Sequence, residues 1–345
     1  MMAGKQRAVV IFPGRGSYAS GELGYLQRHH SAQAAMIAAL DKKRGQDGAV
    51  AAAKLDSLAK FSPSKHLPGR NASNLIYTCA QADFLAIDRQ EIDVVAICGN
   101  SLGWYLSLAA SGALSLEDGA HLVDTMGHMM ERDGIGGQLL CPVADDNWQI
   151  DHDLKARILN AVTETENAFL SIDLGGTLVL AGDDAAIKQL QALLNPDDAH
   201  RFAVLPKHAA FHTPLLSDVA AAARDTLKQE LFRPPTIPMI DGRGVIWSPD
   251  GSDMAALHNY TLGTQIVERY DFAKSIEVAL KEFAPDMLIL TGPGGSLGAP
   301  IAQCMITHRW RGMLSRNDFA DQQKQAPFLV AMGREDQRGM AIAKP

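Results

Sequence analysis

The sequence predicts an α/β protein: a hydrolase-like core with a parallel sheet, plus a smaller inserted ferredoxin-like subdomain. Three observations carry this reading. Apolar, β-branched runs at 8–12, 94–98 and 287–290 each enter a glycine-rich turn, Pro13-Gly14-Arg15-Gly16-Ser17, Gly99-Asn100-Ser101-Leu102-Gly103 and Thr291-Gly292-Pro293-Gly294-Gly295. Strands that are apolar on both faces belong to parallel sheets covered on both sides. Loops that follow parallel strands emerge at one edge, so Gly16, Ser101 and Gly294 are expected to rim a single crevice. Between about 131 and 205 the pattern changes to β-α-β-β-α-β, the order of a ferredoxin-like unit.

The first strand, 8–12, is followed by Gly14-Arg15-Gly16-Ser17-Tyr18-Ala19, which matches the dinucleotide pattern G-x-G-x-x-A. Pro13 interrupts that turn, and no strand ending in an acid follows within roughly 20 residues, as ribose recognition requires. Residues 21–60 read as helical with breaks at Gly45 and Gly48. Residues 61–74, with Pro63, Pro68 and Gly69, read as a loop before a helix through Leu75, Cys79, Ala82 and Leu85.

The second strand, 94–98, runs into G-x-S-x-G and then into Leu102, Tyr105, Leu106 and Ala109 at helical spacing. Strand, sharp turn and helix are the context that a nucleophile elbow needs, with glycines where backbones crowd. Ser101 is therefore a candidate nucleophile, and the N–H of Leu102 at the helix start a candidate oxyanion donor. Ser115 followed by Glu117 and Asp118 caps a further helix to about Met130.

In the inserted unit, strands are expected near 139–143, 169–172, 177–181 and 202–205, with helices at 154–162 and 185–194. The Pro-bracketed stretch 206–214 returns the chain to the main body and leads to a helix over 215–230. Pro234, Pro235 and Pro238 make 237–240 an edge or irregular strand. The expected layout is a large catalytic subdomain of 1–130 and 206–316, a small one of 131–205, and a polar, peripheral tail of 317–345.

With 345 residues, 47% hydrophobic and 21% charged, the chain reads as a soluble globular protein. No stretch approaches the roughly 20 apolar residues of a membrane span, and no signal-peptide pattern opens the sequence, so a cytoplasmic protein is expected. Cys79, Cys98, Cys141 and Cys304 lack C-x-x-C spacing and suit reduced, buried thiols. A net charge of -7 argues against nucleic acid as the main partner. His208 and His212 lie four apart, but without H-E-x-x-H or a third ligand cluster no metal site is expected. Among 11 histidines, His212 is the best candidate base for a serine hydroxyl.

Several stretches together resemble one family. Phe12-Pro13-Gly14-Arg15-Gly16-Ser17 is similar to F-P-G-Q-G-S, Gly99 to Gly103 to G-H-S-L-G, and Ala110 to Asp118 to A-A-G-A-L-S-x-E-D. Ala210-Phe211-His212-Thr213-Pro214-Leu215 is similar to A-F-H-S-P-L, and Gly292-Pro293-Gly294 to the late G-P-G. From about 7 to 315, in this order, the chain resembles malonyl-CoA:acyl carrier protein transacylases and the acyltransferase domains of fatty acid and polyketide synthesis.

The resemblance implies Ser101 as nucleophile, His212 as base and Gln265 as the residue whose backbone carbonyl orients the histidine. It implies an oxyanion hole from Arg15 and Leu102, and an acyl pocket at Asn100, Trp104, Met126 and Phe211. Substrates would be an acyl-CoA thioester and a phosphopantetheinylated acyl carrier protein, with no permanently bound cofactor. Lys207 and Arg201 are candidate basic residues for carrier docking.

The departures bear on substrate. Met126 stands where malonyl-selective members place a carboxylate-binding arginine, Asn100 replaces histidine and Trp104 replaces glutamate. A methionine cannot donate to a carboxylate, which points to a neutral acyl group in place of the family's malonyl. Arg15, where the family has glutamine, is the alternative source of a cation. Two other functions compete with acyl transfer: an editing thioesterase of the same fold acting on acyl carrier protein, and a non-catalytic carrier-docking protein.

Overall fold

The computed structural model describes residues 4–194 and 202–343; Arg201 lies outside them. In chain order the strands are β1 (Gln6–Phe12), β2 (Ile92–Gly99), β3 (Gly137–Pro142), β4 (Ala168–Asp173), β5 (Thr177–Gly182), β6 (Ala203–Val204), β7 (Met239–Ile240), β8 (Ile246–Trp247), β9 (Tyr270–Asp271), β10 (Met287–Leu290) and β11 (Leu329–Ala331).

The larger sheet has the order β11-β10-β1-β2-β7-β8 and is parallel except for β8. β1 lies inside it, with Ala8 opposite Met287 on one side and Val94 on the other. The three strands that enter glycine turns are thus adjacent, and their turns meet at one edge as expected. At that edge a Cβ on Gly294, whose φ is +68°, would stand 2.5 Å from the Ser17 carbonyl oxygen. The third turn rests directly on the first.

Helix Gly69–Ala86 begins at Gly69, not near Leu75. The polar residues after Pro68 are an inward face: Arg44 Nη2 donates to Asn71 Oδ1 at 2.7 Å, and Ser73 and Asn74 are buried. Gly69 also allows contact with helix Leu116–Asp133, because a Cβ there would stand 2.7 Å from the Gly127 oxygen. That second helix has the expected cap, Ser115 Oγ accepting from the Asp118 N–H at 3.0 Å.

Within 237–240 only Met239–Ile240 is strand, the short β7, and it is not an edge, since β8 pairs antiparallel outside it. Helix Arg316–Gln325 has no buried residue, as expected of a peripheral tail, but the residues after it are not peripheral. β11 adds a parallel strand to β10, and Arg338 reaches Asp83 Oδ1 at 2.6 Å in the interior. Polar residues there read as solvent-facing because their buried partner lies some 250 positions earlier in the chain.

The smaller sheet has the order β6-β3-β5-β4-β9. Its first four strands and helices His152–Glu164 and Asp184–Leu194 follow the expected β-α-β-β-α-β succession. β9, however, comes from outside 131–205 and pairs parallel with β4. Alternation along β5 explains how the unit attaches: Leu178 and Leu180 enter a local core with Ile158 and Leu190, whereas Val179 faces the main core. Cys79, Cys98, Cys141 and Cys304 are all buried and unpaired. Among the described residues no helix is long and apolar enough to cross a membrane.

Candidate active site

The turn after β2 is forced by its neighbours. A Cβ on Gly99 would lie 2.4 Å from the Gly103 carbonyl carbon, and one on Gly103 would lie 2.4 Å from the Phe12 oxygen. Only hydrogen fits at either position. Between them Ser101 adopts φ 55° and ψ −107°, a strained conformation for a residue with a side chain. Helix Leu102–Ala110 starts immediately after it. The N–H of Leu102, like that of Arg15 in the turn after β1, donates to no protein acceptor among the described residues.

Ser101 Oγ lies 2.8 Å from His212 Nε2, and His212 Nδ1 lies 2.6 Å from the Gln265 carbonyl oxygen. A carbonyl only accepts, so Nδ1 carries the proton and Nε2 presents its lone pair to the serine hydroxyl. Burial pushes the His212 pKa down to about 4, with the Gln265 carbonyl pulling the other way, so the ring is neutral at pH 7. Gln265 follows a π-helical turn, Tyr260–Thr264. Its side chain is also committed: Oε1 accepts from Tyr105 at 2.8 Å and Nε2 donates to the Ser101 carbonyl at 3.2 Å. Tyr105 looks like core from its spacing alone, and nothing local marks this bond.

These groups open into a cleft of about 430 Å³. Arg15, Asn100, Ser101, Leu102, Met126, Phe211, His212 and Gln265 all line it. Trp104 does not. It is 0% exposed, its Nε1 donates to Thr261 Oγ1 at 3.0 Å and its ring packs edge-on against Tyr260, so it is interior structure and not pocket wall. Met126, 3% exposed, contributes an apolar surface from helix Leu116–Asp133.

Arg15 places a cation in this cleft. One of its N–H groups reaches the Leu67 carbonyl at 3.2 Å, its Nε is buried without a partner, and its guanidinium lies 5.7 Å from the Phe211 ring centre. No carboxylate pairs with it among the described residues. Burial pushes its pKa down to about 10, and Glu131 acts in the opposite direction, leaving it charged at neutral pH.

His208 also lines the cleft. Its Nδ1 lies 2.8 Å from Gln138 Oε1, so His208 is engaged with an amide, and no group of three or more His, Cys, Asp or Glu side chains among the described residues is placed to hold a metal ion.

No family model matches the chain. The polyketide synthase GfsB of Streptomyces halstedii is 23% identical over 209 residues, which is 61% of this chain and 4% of that much longer protein. Among solved structures, the malonyl-CoA:ACP transacylase of Synechocystis sp. PCC 6803 superposes with a TM-score of 0.73 at 18% identity, covering 97% of this chain and 99% of that one. A malonyl-transacylase solved in complex with its type II polyketide synthase acyl carrier protein gives 0.73 at 15% identity, covering 98% and 99%. The chain therefore has the fold of malonyl-CoA:acyl carrier protein transacylases.

Proposed function

We propose that the chain is an S-acyltransferase that carries an acyl group from an acyl-CoA thioester to the phosphopantetheine thiol of an acyl carrier protein through acyl-Ser101. The observation that carries this reading is the 2.8 Å contact from Ser101 Oγ to a neutral His212 oriented by the Gln265 carbonyl. As Oγ attacks the thioester carbonyl, His212 Nε2 takes the hydroxyl proton. The unspent N–H groups of Leu102 and Arg15 hold the oxyanion, at about 3 kcal/mol per donor. Collapse breaks the C–S bond, and the imidazolium returns its proton to the departing CoA sulfur. The carrier thiol then repeats the sequence on the acyl-enzyme, with His212 taking the thiol proton and giving it to Ser101.

The carrier as acceptor is supported by the solved complex of a like-folded transacylase with its carrier protein. Strand, turn and helix at Ser101 support a hydrolase-like core, and the antiparallel order β6-β3-β5-β4 supports a ferredoxin-like insertion. Four buried, unpaired thiols support a reducing, cytoplasmic setting.

Met126 in the cleft wall, together with Phe211, favours a neutral acyl group such as acetyl or a longer chain. A second reading is favoured by Arg15, whose unpaired guanidinium suits an acyl group that ends in a carboxylate. Intact-mass measurement after incubation with acetyl-, longer-chain acyl- and malonyl-CoA tests both, using the wild type, Ser101→Ala and Arg15→Ala. The expected result is a Ser101-dependent adduct whose acyl group passes to holo carrier protein. Malonyl loading lost in Arg15→Ala establishes the second reading. Release of free acid without an acceptor makes the protein a hydrolase, and an unmodified Ser101 across the panel overturns the proposal.

A further inference from the structure

The base sits in an unusual loop. His212 has φ 58° and is 3% exposed, so its position depends on what holds the preceding peptide. The Phe211 carbonyl accepts from Ser171 Oγ at 2.8 Å. Ser171 Oγ in turn accepts from Gln138 Nε2 at 2.8 Å, and Gln138 Oε1 lies 2.8 Å from His208 Nδ1. Directions in this chain are fixed. The serine has one proton and gives it to the carbonyl, so it must receive the amide N–H, which turns the amide oxygen to the imidazole and places a proton on His208 Nδ1. Ser171 is 0% and Gln138 2% exposed, so the bond between them is made away from water, while the bonds to the Phe211 carbonyl and to His208 are half-buried at the cleft wall.

We infer that Ser171 and Gln138, on β4 and β3 of the small sheet, are positioning residues for His212, acting by holding the Phe211 peptide in the orientation that aims Nε2 at Ser101. The inference rests on His212 being the base. Other ties of the loop act further back, the Ala210 N–H donating to the Ile135 oxygen at 2.8 Å and Thr213 Oγ1 to the Ala210 oxygen at 2.7 Å. Among the described residues only the Ser171 bond grips the carbonyl next to His212. It comes from the small sheet, whereas the Gln265 carbonyl that holds the imidazole comes from the main body.

The test uses Ser101 acylation kinetics with the best acyl-CoA donor, across pH, for Ser171→Ala, Ser171→Thr and Gln138→Met. Ser171→Ala should lower the acylation rate about tenfold with KM changed less than about twofold, the scale of one neutral hydrogen bond. Its acid limb should move to higher pH as the loosened imidazole regains water. The other titratable or charged groups near His212 and on its loop are Tyr105, Tyr270, His208, Arg15 and the exposed Lys207; burial raises both tyrosine pKa values, leaving their phenols neutral, and Ser171→Ala replaces none of the five.

Ser171→Thr keeps the hydroxyl and should recover most of the rate. Gln138→Met keeps the shape and should give a smaller loss than Ser171→Ala, which also serves should Ser171→Ala fail to fold. A lowered melting temperature with rate and acid limb unchanged in Ser171→Ala, or an unchanged rate in Gln138→Met when Ser171→Ala does not fold, overturns the inference. If His212→Ala still acylates Ser101 at the wild-type rate, the proposed function has failed instead.

Discussion

Ser101 and His212 meet at 2.8 Å across 111 residues of sequence, and both hold a positive φ, 55° and 58°. Two side-chain-bearing residues in a region that favours glycine, facing each other, mark where the fold stores backbone strain. The elbow strains the serine to raise it above the sheet edge, and the return loop strains the histidine to reach it.

Removing the base should therefore cost far more than removing a wall. His212→Ala is expected to slow Ser101 acylation by about 10²- to 10⁴-fold, the range for a positioned general base. The check is the rate of CoA release in a single turnover, with Met126→Ala as the comparison that keeps the chemistry. A His212→Ala enzyme within tenfold of wild type removes the histidine from the mechanism.

The acid limb of acylation should lie near pH 4, because His212 works as the neutral form and its pKa is lowered to about 4 by burial. The rate should be flat from pH 7 to about 5. A limb at about 6.5, the ordinary histidine value, would show instead that the imidazole is hydrated in the working enzyme.

Stability should follow pH in the same direction. Burial lowers His212 to about 4, and burial together with Arg15 lowers His208 to about 3, both below the unfolded value of about 6.5. The unfolded chain thus binds protons first as pH falls. The contribution is complete above about pH 6.5, shrinks through the window from 6.5 to about 3, and then levels off. Urea midpoints measured at pH 7, 6 and 5 should fall, and fall less in a His208→Gln variant.

Gly103→Ala should destabilise by about 2 kcal/mol or more, because its Cβ would stand 2.4 Å from the Phe12 oxygen and backbone cannot yield as a flexible side chain does. Gly298→Ala, with nothing within 4 Å of the added carbon, is the matched control. Equal denaturation midpoints for the two variants would falsify the steric account of the elbow.

Arg338→Met should cost about 3 kcal/mol, since it removes the guanidinium paired with the Asp83 carboxylate, which is 0% exposed and keeps only the hydrogen bonds of its other neighbours. Burial raises the Asp83 pKa, but hydrogen bonding with His30, the charge of Arg338 and the Tyr25 hydroxyl outweigh it and hold the group below its usual value. Tyr25 donates to Asp83 Oδ2 at 2.8 Å, and so does the Gly292 N–H at 2.6 Å, so the loss should also loosen the third glycine turn. Guanidinium unfolding measures the first effect, and hydrogen exchange over 291–296 the second.

The features readable in advance were those written in short, contiguous patterns. The strands before each glycine turn, the Ser115 cap and the elbow around Ser101 all depend on neighbours within a few residues. Gln265 depended on resemblance, and its carbonyl does meet His212. What escaped prediction depends on distant partners. Asn71 lies within a helix and accepts from Arg44, β9 joins a sheet formed by residues some 100 positions earlier, and Trp104 turns from the cleft to meet Thr261. Gln138 and Ser171 carry no local signature at all; a lone buried amide and hydroxyl gain meaning only when His208 and the Phe211 carbonyl arrive beside them.

The placement of β1 inside the large sheet sets a timetable for making the protein. Ala8 pairs with Met287, so one flank of β1 stays open until nearly 280 more residues have been synthesised. Such distant pairing makes for slow folding and prolonged exposure of an adhesive edge. Nascent chains stalled before residue 287 should therefore be the ones that chaperones retain and that clump when chaperones are scarce.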